Sequence, residues 1–150
     1  MTERSVEHAI FVVERRYDAA PDRVFAAWTD REAKAQWFGS PQDRFELDFR
    51  VGGHELHQGI DPRGNPYTFE AIYQDIVEPE RIVYTYEMLL GETRISVSVA
   101  TIELRPDAGG TLLVYTEQGA FLDGHDTPAR RQNGMGSVLD ALGRALRVPP

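Results

Sequence analysis

The sequence predicts an α+β fold in which a curved antiparallel sheet of seven strands wraps a long C-terminal helix. Three observations carry this prediction. From Phe45 to Gln118, short runs of period-two residues alternate with turn chemistry, as an antiparallel meander requires. Met135, Val138, Leu139, Leu142 and Leu146 recur at i, i+3, i+4, i+7 and i+11, which marks one long amphipathic helix. A single sheet with one apolar face and a single helix with one apolar stripe must then bury those surfaces on each other. At 150 residues the chain has the length of one domain, residues 1–150, and is too short for two comfortable ones.

The elements follow in order. "HAIFVVERRY" (His8 to Tyr17) is rich in β-branched and aromatic residues and reads as the first strand. "APDRVFAAWTD" changes the period: Pro21 suits the first helical position, and Val24, Phe25 and Trp28 share a helical face. In "TDREAKAQWF", Thr29 and Glu32 have the spacing of a capping box, so a second short helix is expected to start there and to end before Gly39. Six further strands are expected: "RFELDF", "GHELHQG", "YTFEAIYQDIV", "RIVYTYEM", "RISVSVATIEL" and "TLLVYTEQG". Thr127 followed by Pro128 signals the start of the last helix, and Pro149 its stop. Gly134, Gly136 and Gly143 fall inside that helix, where each costs on the order of 1 kcal/mol against alanine. Either a close approach or bend requires them, or the first turns belong to a loop.

Composition excludes several classes of function. The absence of cysteine removes disulfides, thiolate nucleophiles and thiolate metal sites. A net charge of −8 with dispersed basic residues argues against nucleic acid as a partner. No run approaches the ~18 apolar residues of a membrane span, and "MTERSVEHA" lacks a signal core, so no membrane association and a cytoplasmic location are expected.

The strings "APDRVFAAWTDREAKAQWFG", "RVGGHEL", "EPERIVYTYEM" and "GGTLLVYTEQGAFLDG" stand in this order along the chain. They resemble the helix-grip superfamily called START-like or SRPBCC, and within it the branch named after the activator of the heat-shock-protein-90 ATPase. The likeness runs from about Ser5 to Leu146. It implies a seven-stranded sheet gripping a C-terminal helix around a hydrophobic cavity. It implies less about activity, because such folds host lipid carriers, hormone receptors, polyketide cyclases and co-chaperone domains. One departure stands out. Members usually carry a Gly-Trp pair near the start of the last helix, where this chain has Gly136 and Ser137 in "NGMGSVLDAL". If Ser137 stands in place of the indole, either the cavity is wider or Trp37 or Phe121 fills the space.

Strand alternation selects the residues that can carry chemistry. Leu113, Tyr115 and Glu117 share a face, which the resemblance favours as inward. Glu55 and His57 also share a face, although the glycines beside them can host a bulge that shifts the parity. Glu55, His57 and Glu117, with Tyr84, Tyr86 and Tyr115 nearby, are therefore expected to form one polar patch in an otherwise apolar cavity. Glu117 and His57 are the candidates for general-base catalysis. The alternative is that these groups bind one another or a ligand's head group, since buried polar groups require partners.

Phe25, Trp28 and Trp37 read first as core of the short helices. Trp37 is retained with Phe49, Phe69, Phe121 and Met135 among the candidate ligand contacts. No metal is expected: His54 and His57 are three apart on a strand and point to opposite faces. His125 and Asp126 belong to a loop before the last helix, with Asp126 or Thr127 as its cap. No G-x-S-x-G elbow, phosphate-cradling loop or cofactor signature is present.

Three functional readings follow, in order. The first is a carrier or sensor of a small, mainly hydrophobic ligand with a polar end. The second is an acid–base enzyme, cyclase- or hydrolase-like, acting on a cyclic or polyketide-like substrate. The third is an interaction module that stimulates a chaperone ATPase, as the family's name implies. It ranks lowest because the eukaryotic co-chaperone has an additional N-terminal domain for which this length leaves no room. A homodimer is compatible with every reading.

Overall fold

The computed structural model describes residues 3–147. Strand β1 (Val6–Tyr17) is followed by helices α1 (Pro21–Thr29) and α2 (Arg31–Ala35). The strands β2 (Arg44–Leu47), β3 (His54–Ile60), β4 (Pro66–Val77), β5 (Arg81–Leu90), β6 (Thr93–Asp107) and β7 (Gly110–Leu122) come next, and helix α3 (Pro128–Leu146) closes the order. The seven strands form one antiparallel sheet, β1-β7-β6-β5-β4-β3-β2. Six neighbouring strands are joined in sequence, and β1 adds to the far edge beside β7. That pairing runs from Val6 opposite Leu122 to Tyr17 opposite Thr111, which is why β7 continues three residues past Gly119. The alternation read from the sequence places one face inward: Phe69, Ala71 and Tyr73 of β4, Tyr84 and Tyr86 of β5, and Tyr115 and Glu117 of β7 are all buried. Register shifts at Tyr73/Asp75 and at Met88/Leu89 mark bulges, which bend and twist strands.

The two short helices lie across one end of the inner face. Pro21 occupies the first turn of α1, and Val24, Phe25 and Trp28 form its buried stripe. The expected capping box does not start α2. Asp30 is the N-cap, its carboxylate accepting a hydrogen bond from the Ala33 amide at 3.0 Å, while the Thr29 hydroxyl donates back into α1 to the Ala26 carbonyl at 3.3 Å. At a sharp corner between two helices a carboxylate is the better cap, because it meets both the free amide and the positive end of the dipole.

Helix α3 starts at Pro128, capped by Thr127, whose hydroxyl accepts from the Arg130 amide at 3.1 Å. All three glycines are therefore helical, and none belongs to a loop. A methyl group on Gly143 would stand 3.2 Å from the Tyr17 ring, and one on Gly136 would stand 3.0 Å from the Arg15 guanidinium. At Gly134 it would meet nothing within 4 Å. Tyr17 explains the first close approach: its buried hydroxyl donates to the Leu139 carbonyl at 2.7 Å and pins α3 to β1. Arg15 adds an ion pair to Asp140 at 2.7 Å.

Ser137 corrects an expectation. It is exposed, its hydroxyl donating to the Asn133 carbonyl at 3.3 Å, so it leaves no gap in the interior for Trp37 or Phe121 to fill. Pro149, the expected stop of this helix, lies outside the described residues. Among the described residues no helix is long and apolar enough to cross a membrane.

Candidate ligand-binding cavity

Between the inner face of the sheet and the N-terminal half of α3 lies a cavity of about 680 Å³. Its wall is aromatic and aliphatic: Phe38, Tyr67, Phe69, Tyr84, Tyr86, Tyr115, Met88, Ile95, Met135 and Val138 border it. Its mouth is polar, formed by Asp61, Arg63 and Asn65 of the β3–β4 turn and by His125, Asp126, Arg130 and Arg131 at the start of α3. This volume falls within the ~300–1,000 Å³ of pockets that enclose small organic ligands, and an apolar wall with few polar groups is their usual lining.

The expected polar patch is three separate arrangements. Glu55, His57 and Glu117 are all buried, at 1%, 1% and 0% exposure. Each has its own partners, and none bonds another. Glu117 accepts at Oε2 from the Tyr86 hydroxyl (2.7 Å), the Ser98 hydroxyl (2.7 Å) and Arg131 Nη1 (3.3 Å), and at Oε1 from the Tyr115 hydroxyl (2.6 Å). Arg131 also donates to the Tyr86 hydroxyl (2.7 Å), the Ser96 hydroxyl (2.8 Å) and Asp126 (3.1 Å), and its guanidinium lies 5.2 Å from the Phe121 ring centre. Glu117 thus sits behind the cavity wall as the counter-charge of Arg131, with three donors on Oε2 and one on Oε1 already drawing on the lone pairs that a general base would use. Burial first, and then the neighbouring phenols and Glu117, pushes the Tyr115 hydroxyl well up; Tyr84 and Tyr86 are raised by burial as well. The phenols that border the cavity are therefore neutral donors.

Glu55 faces α2. It accepts from Lys34 Nζ at 2.7 Å and from the Tyr73 hydroxyl in a very short bond. Lys34 is fully buried, 5.1 Å from the centre of the Trp28 ring system and 4.7 Å from that of Phe38. Burial holds its ammonium below the ordinary lysine value, against the opposing pull of Glu55.

His57 does border the cavity, with Nε2 bonded to Asp43 Oδ2 at 2.8 Å. Asp43 also accepts from the Ser40 amide at 2.8 Å and the Tyr67 hydroxyl at 3.4 Å. Burial, then Asp43, pushes the Tyr67 hydroxyl up to about 12. Two glycines make this niche. A methyl on Gly39, whose φ is +86°, would overlap the His57 ring at 2.0 Å, and one on Gly59 would stand 2.7 Å from the Asp43 carboxylate. His57 Nδ1, Glu55 Oε2 and Trp28 Nε1 have no hydrogen-bond partner among the described residues.

Of the candidate ligand contacts, His57, Phe69, Tyr84, Tyr86, Tyr115 and Met135 border the cavity, whereas Trp37, Phe49, Glu55, Glu117 and Phe121 do not. Trp37 packs on Trp28 with ring centres 4.7 Å apart, and Phe49 lies 5.9 Å from Phe25 and 4.8 Å from Tyr73. Three charged residues of these arrangements, Lys34, Asp43 and Arg131, were not singled out from the sequence. Arg131 left a legible trace, because it stands four residues before Met135 on the apolar stripe of α3.

The chain has relatives among known proteins. The family model described as Activator of Hsp90 ATPase homolog 1-like protein matches residues 18–147. A solved protein from Rhizobium leguminosarum is 45% identical over 97% of this chain and 99% of its own, with a TM-score of 0.91. Mll3558 from Rhizobium loti is 42% identical over 94% and 99% of the two chains, with a TM-score of 0.88. CalU16 from Micromonospora echinospora, 21% identical over 97% and 86% with a TM-score of 0.70, shares the fold. No curated protein matches the chain.

Proposed function

Since the chain belongs to the family of Activator of Hsp90 ATPase homolog 1-like proteins, whose helix-grip fold is typically a scaffold for hydrophobic ligands, we propose that it binds one small, mainly apolar molecule with a polar end in the cavity under α3. The observation that carries this reading is the cavity itself: about 680 Å³, walled by rings and bordered at one end by charged residues. Glu117, one of the two candidate bases, gives catalysis less support, since its oxygens are already occupied.

N-Phenyl-1-naphthylamine, an uncharged dye that fluoresces in apolar surroundings, is a suitable probe. Saturable binding of one dye per chain is expected. Val138→Trp, which fills the cavity from α3, is expected to weaken that binding at least tenfold while the far-ultraviolet circular dichroism is unchanged. Absence of saturable binding to the wild-type protein would rule the reading out. Gentle mass spectrometry of freshly purified protein would then identify any natural ligand carried along.

A further inference from the structure

We infer that the ligand of this cavity is an organic anion, with its apolar body among the rings and its charged end at the mouth between Arg63 and Arg130. The inference rests on the binding reading above and narrows it to a chemical class.

The carboxylates around the mouth are already engaged. Asp126 accepts from Arg131 at 3.1 Å and from the Thr127 amide at 2.8 Å. Asp61 accepts from the Arg63 and Asn65 amides at 2.9 and 2.8 Å, which fixes the β3–β4 turn. The guanidinium of Arg131 is likewise occupied, by Glu117, Tyr86, Ser96 and Asp126. Two cations remain. Arg63 and Arg130 both border the cavity and are exposed, and their guanidinium groups form no hydrogen bond or ion pair among the described residues.

The position of Arg130 adds a separate argument. The first turn of α3 contains no acidic residue and carries Arg130 and Arg131. Cations there face the positive end of the helix dipole, where acidic groups are favoured. Arg131 is offset by Glu117 and Asp126. Among the described residues no ion pair offsets Arg130, and an anion at the mouth would do so. Deeper in, the phenols are neutral and the Arg131 guanidinium is used, the remaining polar group being His57, whose Nε2 is already bonded to the Asp43 carboxylate, and an unpaired buried charge is prohibitively costly. A carboxylate, sulfonate or phosphate fits two guanidinium forks, each of which presents paired N–H donors to such oxygens.

The test compares two dyes with the same apolar body. 1-Anilinonaphthalene-8-sulfonate carries a sulfonate, and N-phenyl-1-naphthylamine carries none. The wild-type protein should bind the sulfonate at least about tenfold more tightly at low salt, the scale of a charge-assisted hydrogen bond. That advantage should shrink at 0.5 M NaCl, because the mouth is exposed to solvent. The double variant Arg63→Gln/Arg130→Gln should lose the advantage while keeping its affinity for the uncharged dye. Arg144→Gln, in the last turn of α3, should keep it. Equal affinity for the two dyes in the wild type, or a parallel loss of both in the double variant, would overturn the inference and leave the binding reading standing. Failure of the wild type to bind either dye would overturn the binding reading itself.

Discussion

Glu55 and Glu117 are two buried carboxylates whose partners decide what each contributes. Glu117 has an arginine and three hydroxyls; Glu55 has Lys34 and Tyr73, and its Oε2 is unpaired. Removing Lys34 would leave a buried charge without its counter-ion, and such losses cost about 3–5 kcal/mol. Lys34→Met is therefore expected to lower the unfolding free energy by roughly 3 kcal/mol in urea titrations. Adding Glu55→Gln to that variant should recover part of the loss, since the orphaned charge is gone. If the double variant is no more stable than Lys34→Met alone, the pair is not what Lys34 stabilises. The sequence made the burial of Glu55, His57 and Glu117 legible through strand parity. It also placed Tyr86 and Tyr115 beside Glu117, which they do bond, but it did not reveal the charged partners. The charged partners, Lys34 for Glu55, Arg131 for Glu117 and Asp43 for His57, are residue types that sit at the surface by default. Lys34 meets Glu55 across 21 positions, and Asp43 meets His57 across 14, distances over which no local pattern reports.

At the scale of the element, α3 shows how one glycine can be dispensable where another is not. Gly134 faces the open cavity, so Gly134→Ala should raise stability by up to about 1 kcal/mol, the helix propensity difference. Gly143 is packed on Tyr17, whose hydroxyl is held by Leu139, so Gly143→Ala must push that ring aside and should gain nothing or lose stability. Thermal melts of the two variants would separate these outcomes, and an equal gain in both would contradict the packing described. The elements themselves were legible because each repeats its period several times and ends on turn chemistry. Their edges were less so. Strand β7 runs on to Leu122 because β1 is there to pair with it, and α2 is capped by Asp30 and starts at Arg31 because of the corner the chain turns; both causes are tertiary.

For the whole molecule, three aspartates link stability to acidity. Asp43, Asp123 and Asp140 lie below the usual carboxylate range. Burial pushes Asp43 upward, but hydrogen bonds from His57 and the Ser40 amide outweigh it; the Ser5 amide and then Arg4 lower Asp123, and Arg15 lowers Asp140. A carboxylate held low in the folded state adds stability above its unfolded value, about 3.9, and that contribution disappears as the pH falls through the folded value. These three groups predict little change in the urea midpoint between pH 7 and about 5 and a decline below about pH 4. Asp43→Asn should make that decline shallower. An identical acid profile in the variant would remove Asp43 from the account.

Tyr17 and Leu139 are joined by a hydrogen bond across 122 positions, and β1 pairs with the last strand to be made. On the ribosome, the strand synthesised first has no place to go until β7 emerges, and the grip cannot close until the final helix follows. Contacts this distant slow folding and leave apolar surface open in the meantime. The nascent chain is thus committed to a waiting period that lasts until α3 has emerged, when the interior acquires its cover.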